Sequence, residues 1–283
     1  MLEYPGVELV FGSRETGMGF ASAPAIATPG IDVEDVAVPS QDGTLMGVDV
    51  IEGPLVTFEI DVVSQDRDGV KAIMEPLRRA WRGDAVRSVP GAVAALRSDR
   101  GKVTFGRPRR FTSADDDDRF GVSRVTCDFA TVTDLWFGEE QTVTVPLVPP
   151  PGGGLVAPLA APLSTTASSD RSQAVTLGGG LPTWPTVTVQ GPITNPVIEV
   201  LGVFRWEFQG LTLAYDEVLV IDARPWIRTI LRNGAAVPGR LTPRSTRLKD
   251  SAIPPGAHEF VLRGTSNGTP TATLAWRPAF HTP

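Results

Sequence analysis

Residues Asp66 to Arg82, DRDGVKAIMEPLRRAWR, form the one segment of the chain whose apolar residues recur convincingly with a helical period. Val70, Ile73, Met74, Leu77 and Trp81 fall at i, i+3, i+4, i+7 and i+11, so five apolar side chains share one stripe. Asp66 or Asp68 can cap the start, and Arg78, Arg79 and Arg82 occupy the last turn, where the helix dipole favours cations. Gly83 supplies a stop. Pro76 lies inside the pattern, where proline removes a hydrogen bond and costs roughly 3 kcal/mol. The expectation is therefore a kinked helix, or two short pieces with Pro76 near the start of the second. On both sides the chain alternates with period two. A lone helix among strands must cover one face of a sheet.

Composition agrees with a mainly β chain. Among 283 residues there are 29 glycines and 26 prolines, which demand many turns, and Val and Thr are plentiful. With 41% hydrophobic residues there is enough apolar matter for a sizeable core. The length suits one large β domain or two ordinary ones. A net charge of −6 argues against a general nucleic-acid binder. The charge is uneven, however. Residues 71–124 hold 13 of the 26 Lys and Arg but 7 of the 32 Asp and Glu, a balance of +6 that leaves −12 for the rest. Such blocks can attract each other between copies, or the basic one can simply be a solvated face. The single cysteine, Cys127, excludes an internal disulfide and alternates with Val125 and Phe129, as a buried thiol would. The start, MLEYPGVELVFGS, lacks the basic and apolar regions of a signal peptide, and no apolar run approaches the ~20 residues of a membrane span.

Taken in order, Val7–Phe11 and Ile31–Val38 read as strands, and Gln41-Asp42-Gly43-Thr44 as a hairpin turn before Leu45–Ile51. Val56, Phe58, Ile60 and Val62 alternate with polar residues, as in a half-buried strand. After the helix, Val93–Leu96 and Lys102–Arg107 are expected strands joined by a turn at Ser98–Gly101. Asp115–Asp118 is expected at an exposed tip, with a calcium site the less favoured reading, before a strand over Gly121–Ala130. Proline, glycine, alanine, serine and threonine then dominate from Pro149 to Gly180. This predicts an N-terminal domain over 1–148, a linker or arm over 149–180 and a C-terminal domain over 181–283. The last part, with short strands such as Phe204–Phe208, Glu217–Asp222 and Ala272–Trp276, reads as a β-sandwich.

No constellation for chemistry stands out. Gly264-Thr265-Ser266-Asn267-Gly268 matches G-x-S-x-G, but a nucleophile elbow needs a strand turning into a helix, and here Thr269-Pro270 and another strand follow. A hairpin turn is the expectation. His258 and His281 have no partner at metal-ligand spacing, and Gly178–Gly180 lacks the Lys-Ser/Thr of a phosphate loop. No catalytic residue, metal or cofactor is expected. Trp206 and Trp276 should point inward, whereas Trp184 and Trp226, flanked by prolines, are candidates for a sugar-binding platform.

The order of features resembles the distal tail (Dit) family of long-tailed siphophages, especially minor tail proteins of actinobacterial phages. The N-terminal half is similar to the family's belt domain in the Gln41-Asp42-Gly43 hairpin, the Leu55–Val63 strand and the following helix. RSDRGKVTFGRPRR over Arg97–Arg110 and VTCDFATVTDLWF over Val125–Phe137 continue the likeness. The C-terminal half is similar to the family's galectin-like β-sandwich in GGGLPTWPTVTVQGPITNPVIEV, LVIDARPWIRTILRNG, IPPGAHEFVLRG and TATLAWRPAF.

The resemblance implies a structural virion protein without catalytic residues. Its belt domains would close a ring, a hexamer in that family, at the distal end of the tail tube. Its partners would be further copies, the tail tube protein, the tail-tip hub with other minor tail proteins, and the tape measure protein. DNA would meet it only in transit, and synthesis would be in the host cytoplasm. With the uneven charge, this makes Arg78, Arg107, Arg109 and Arg110 candidate ring-interface residues. The rival expectation is a carbohydrate-binding module for host adhesion.

Overall fold

The computed structural model describes residues 1–113, 121–148 and 173–283. The fold is mainly β, in two compact units, Met1–Phe137 with His281–Pro283, and Gly138–Phe280. The acidic run Asp115–Asp118 lies outside the described residues.

In the first unit the strands are β1 (Leu2–Tyr4), β2 (Val7–Leu9), β3 (Met18–Phe20), β4 (Ala25–Ile26), β5 (Ile31–Asp32), β6 (Val36–Ala37), β7 (Thr44–Leu45), β8 (Val50–Ile51) and β9 (Leu55–Val63). Helices α1 (Arg67–Arg82) and α2 (Asp84–Arg87) follow, then β10 (Ala94–Arg97), β11 (Val103–Ser113), β12 (Val122–Thr131) and β13 (Trp136–Phe137). The main sheet runs β2-β1-β10-β11-β12-β9-β3, with β4 also on β9 and β13 on β11. Alternation sets its buried face: Val56, Phe58, Ile60 and Val62 of β9 lie opposite Phe129, Cys127, Val125 and Ser123 of β12. Burial, with Asp128 beside it, pushes the Cys127 thiol far above its ordinary range. It is a packed core group, not a nucleophile.

Helix α1 covers this face. Val70, Met74, Leu77, Ala80 and Trp81 are buried, while Ile73 is half-buried. Asp66 is the cap, its Oδ1 accepting from the Gly69 N–H at 2.7 Å, and Gly83 ends the helix in the left-handed region at φ 62°. The helix runs through Pro76 without dividing. Pro76 and Ala72, whose carbonyl loses its intrahelical partner, are both exposed, so water can take the missing N–H's place. Trp81 anchors the C-terminal end. Its Nε1 donates to the Asp128 carbonyl at 3.0 Å, and its ring meets Phe11 and Phe58 edge to face at 5.5 and 6.0 Å. Tyr4 donates its hydroxyl hydrogen to the Ala80 carbonyl at 2.7 Å.

The second unit begins earlier than the composition shift suggests. β14 (Gln141–Pro146) pairs along its whole length with a later strand, Thr271–Trp276, so the division falls at Phe137/Gly138 and not after residue 148. The two short apolar positions Val143 and Val145 carry β14 onto the second core. The expected linker over 149–180 is also shorter at its far end, because β15 (Gln173–Leu177) pairs with residues 256–260 and buries Val175 and Leu177.

The remaining strands are β16 (Thr186–Gln190), β17 (Ile193–Val200), β18 (Phe204–Glu207), β19 (Thr212–Leu213), β20 (Val218–Asp222), β21 (Thr229–Arg232), β22 (Ala235–Ala236), β23 (Gly256–Thr265), β24 (Thr271–Trp276) and the short β25 (Ala279–Phe280). One sheet runs β14-β24-β16-β20-β21-β22 and the other β15-β23-β17-β18, with β19 on β17. Their alternating apolar residues share one core, which makes this unit a β-sandwich. Trp206 is fully buried, stacked on Phe204 at 4.1 Å, with its Nε1 donating to Ser251 Oγ at 3.1 Å. At the β20–β21 hairpin, the Ala214 N–H and the Arg232 fork hold the Glu217 carboxyl below its ordinary range.

Candidate functional site

The G-x-S-x-G segment closes β23 with Gly264 and Thr265 and turns through Ser266–Gly268 towards β24. Ser266 donates its hydroxyl hydrogen to the Pro192 carbonyl, and its oxygen accepts from the Gly268 N–H at 3.0 Å, so the hydroxyl is committed to the backbone. Among the described residues no three His, Cys, Asp or Glu side chains converge as metal ligands. No described helix is long and apolar enough to cross a membrane.

Trp184 and Trp226 are both half-buried. The Ala223 N–H donates to the Pro185 carbonyl at 3.1 Å, which brings their chain segments together beyond the paired ends of β16 and β20. Trp184 packs against the sandwich core, and the Arg224 guanidinium lies 5.9 Å from the Trp226 ring centroid.

The four candidate arginines have different surroundings. Arg107 turns back on its own unit: Nε donates to the Ala92 carbonyl at 2.6 Å and Nη2 to the Val89 carbonyl at 2.8 Å. It secures the loop before β10. Arg78, on the exposed side of α1, donates from Nη2 to Ser113 Oγ at 3.1 Å. Arg109 and Arg110 sit where the β11–β12 register shifts, between the pairs Pro108–Phe129 and Phe111–Cys127. Three steps on β11 match two on β12, a β-bulge that breaks the alternation and leaves two successive arginines exposed. Arg87 of α2 steadies the bulge, donating from Nη2 to the Pro108 and Arg109 carbonyls at 2.9 and 3.0 Å. Arg110 Nε donates to Thr112 Oγ1 at 3.2 Å. Arg87 thus ties the bulge to α2, and with exposed Arg79 these residues present a basic face in which Arg82 is already paired with Asp84 at 2.9 Å.

The most unusual surface is one the sequence reading missed. Among the described residues the hairpin expected over Ile31–Ile51 joins no other sheet: β5 pairs with β8 and β6 with β7. The ribbon is closed by hydrogen bonds from the Val38 N–H to the Gly43 carbonyl and from the Glu52 N–H to the Gly30 carbonyl. Between the two ladders the Gly47 N–H donates to Asp35 Oδ1 at 2.9 Å. From Ile31 to Glu52 every residue except Val38 is exposed, including Ile31, Val36, Leu45, Met46 and Val48, the last two at 81 and 73%. The arm is rooted tightly, since a Cβ on Gly53 would lie 2.1 Å from the Thr131 carbonyl oxygen. An isolated two-stranded ribbon is marginal in water, and apolar exposure on this scale marks an interaction surface. The available signal was charge: residues 27–54 contain Asp32, Glu34, Asp35, Asp42, Asp49 and Glu52 but no Lys or Arg.

No protein-family model matches the chain, and no curated protein matches its sequence. Among solved structures it is similar to the Dit protein of phage SPP1, described as a paradigm of the hub adsorption apparatus in phages infecting Gram-positive bacteria. That alignment has a TM-score of 0.55 at 14% identity and covers 93% of this chain and 91% of that one. Two structures of the phage P2 baseplate in its activated conformation, with Ca and with Sr, align at TM-scores of 0.45 and 0.46 and identities of 11 and 10%. Each covers 90% of this chain and 91% of the other. The likeness to SPP1 Dit extends over both units, and with the resemblance carried by the sequence it shows that the chain has the fold of a phage distal tail protein.

Proposed function

We propose that the chain is a structural component of a phage tail tip, where copies close into a ring that joins the tail tube to the hub. The ring, a hexamer by its resemblance to the distal tail family, would surround the channel taken by the tape measure protein and then by DNA. The observation that carries this reading is the arm over Ile31–Ile51, which exposes apolar side chains on a ribbon too small to be stable alone. A second surface of the same chain, the basic face around Arg109 and Arg110, supplies the unlike patch that a head-to-tail ring contact needs. The Dit fold supports placing such a ring at the tail end. The commitment of Ser266 to backbone groups fits a role without catalysis.

Gold-labelled antibodies against the sandwich unit should decorate virions at the distal end of the tail. Labelling confined to the head, or spread along the whole tail, would contradict the proposal.

A further inference from the structure

We infer that the acidic arm of one copy docks on the basic face of the next copy. The inference rests on the ring reading above and names the two surfaces that meet. Residues 27–54 carry six carboxylates and no cation, a balance of −6, while residues 71–124 carry +6. Among the described residues no carboxylate of the arm pairs with an arginine of its own copy, and the arm is exposed from Ile31 to Glu52 apart from Val38.

The receiving face is built to present charge. Arg79 and Arg82 end α1, Arg82 paired with Asp84 at 2.9 Å, and Arg87 of α2 spends its Nη2 on the bulge carbonyls. That contact fixes Arg109 and Arg110 side by side on the surface, where the side chain of Arg109 has no polar partner among the described residues. A planar guanidinium fork can hold a carboxylate through two parallel hydrogen bonds, which suits it to an acidic partner.

The arm is more than a charged tail. Directly opposed pairs, Ile31 with Ile51 and Val36 with Leu45, interleave with the acidic positions. Apolar contact would supply most of the affinity, and the charges would set register and the rate of association. Arm and face are different patches of one chain, so each copy gives one and receives one, and the contact propagates until the ring closes. A second copy is the occupant that the charge balance favours: both complementary surfaces are present in every molecule. Since the exposed charges are screened over about 10 Å at 0.1 M salt, association by this route weakens as salt rises.

Two charge reversals test it. One variant carries Asp32→Lys and Asp49→Lys in the arm, and the other Arg109→Glu and Arg110→Glu in the face. All four positions are exposed, so both variants should keep the wild-type circular dichroism. In sedimentation velocity at low salt, each variant alone should associate at least about tenfold more weakly than wild type, equivalent to about 1.4 kcal/mol. An equimolar mixture should recover assembly, because the lysine arm of the first variant meets the glutamate face of the second, and the native arm of the second meets the native face of the first. Recovery in the mixture also shows that both variants are folded. If wild type assembles but either reversal is without effect, or the mixture associates no better than its parts, the docking is wrong while the ring reading stands. A wild-type chain that stays monomeric at every concentration and salt overturns the ring reading, and the docking with it.

Discussion

Excising the arm, by joining Gly30 to Glu52 through a short Gly-Ser turn, is expected to leave a folded monomer that no longer self-associates. The ends are already adjacent, since the Glu52 N–H donates to the Gly30 carbonyl at 2.8 Å, so the cut needs no movement of the sheet. The excised residues contribute nothing to either buried core. Stability should therefore stay within about 0.5 kcal/mol of wild type, the range for surface changes away from special features. Association loses the burial of several aliphatic side chains, each worth about 1.5 kcal/mol or more when fully buried. Even part of that sum exceeds the about 1.4 kcal/mol that separates one decade of affinity from the next. A thermal melt and a sedimentation run on the same sample check both halves. A variant that melts as wild type yet still assembles would show that the arm is not the contact.

Replacing Trp81 with Ala should produce the largest stability loss of any single change in the first unit. The indole is almost fully buried between α1 and the sheet, against Phe11 and Phe58. Truncation opens a cavity at a cost of about 3–5 kcal/mol, and the Asp128 carbonyl also loses the donor that Nε1 supplies. Trp81→Phe keeps much of the volume and loses the hydrogen bond, so it should cost less. Hydrogen exchange followed by mass spectrometry locates the effect. Amides of β9 and β12 should lose protection, while β16 and β20 keep theirs. Equal loss in both units, or none in either, would mean that Trp81 does not clamp the helix to the sheet.

How much of this was legible in the sequence depended on whether a local pattern has one meaning or two. The helix was readable because Val70, Met74, Leu77 and Trp81 leave a single buried stripe and Asp66 and Gly83 mark its ends. Strand β9 and the sandwich strands were readable for the equivalent reason at period two. The fate of the Ile31–Ile51 hairpin was not, because a ribbon paired only with itself has the same alternation as one joined to a sheet. Its run of carboxylates without a cation was the signal that separated the two. The unit boundary was missed because β14 has only Val143 and Val145 to bury and stands directly before a proline-rich stretch. For the arginines, sequence identified a basic block but could not distinguish Arg107, turned back on the Val89 and Ala92 carbonyls, from Arg109, held outward by a bulge. A register shift is a property of two strands together, and one strand's sequence does not contain it.

The ring itself is tested most directly by native mass measurement on the purified full-length chain at low salt. The account predicts one discrete assembly of fixed stoichiometry, a hexamer by resemblance, whose association slows and weakens as salt rises. A monomer at all concentrations, or an open series of ever larger species, would contradict it.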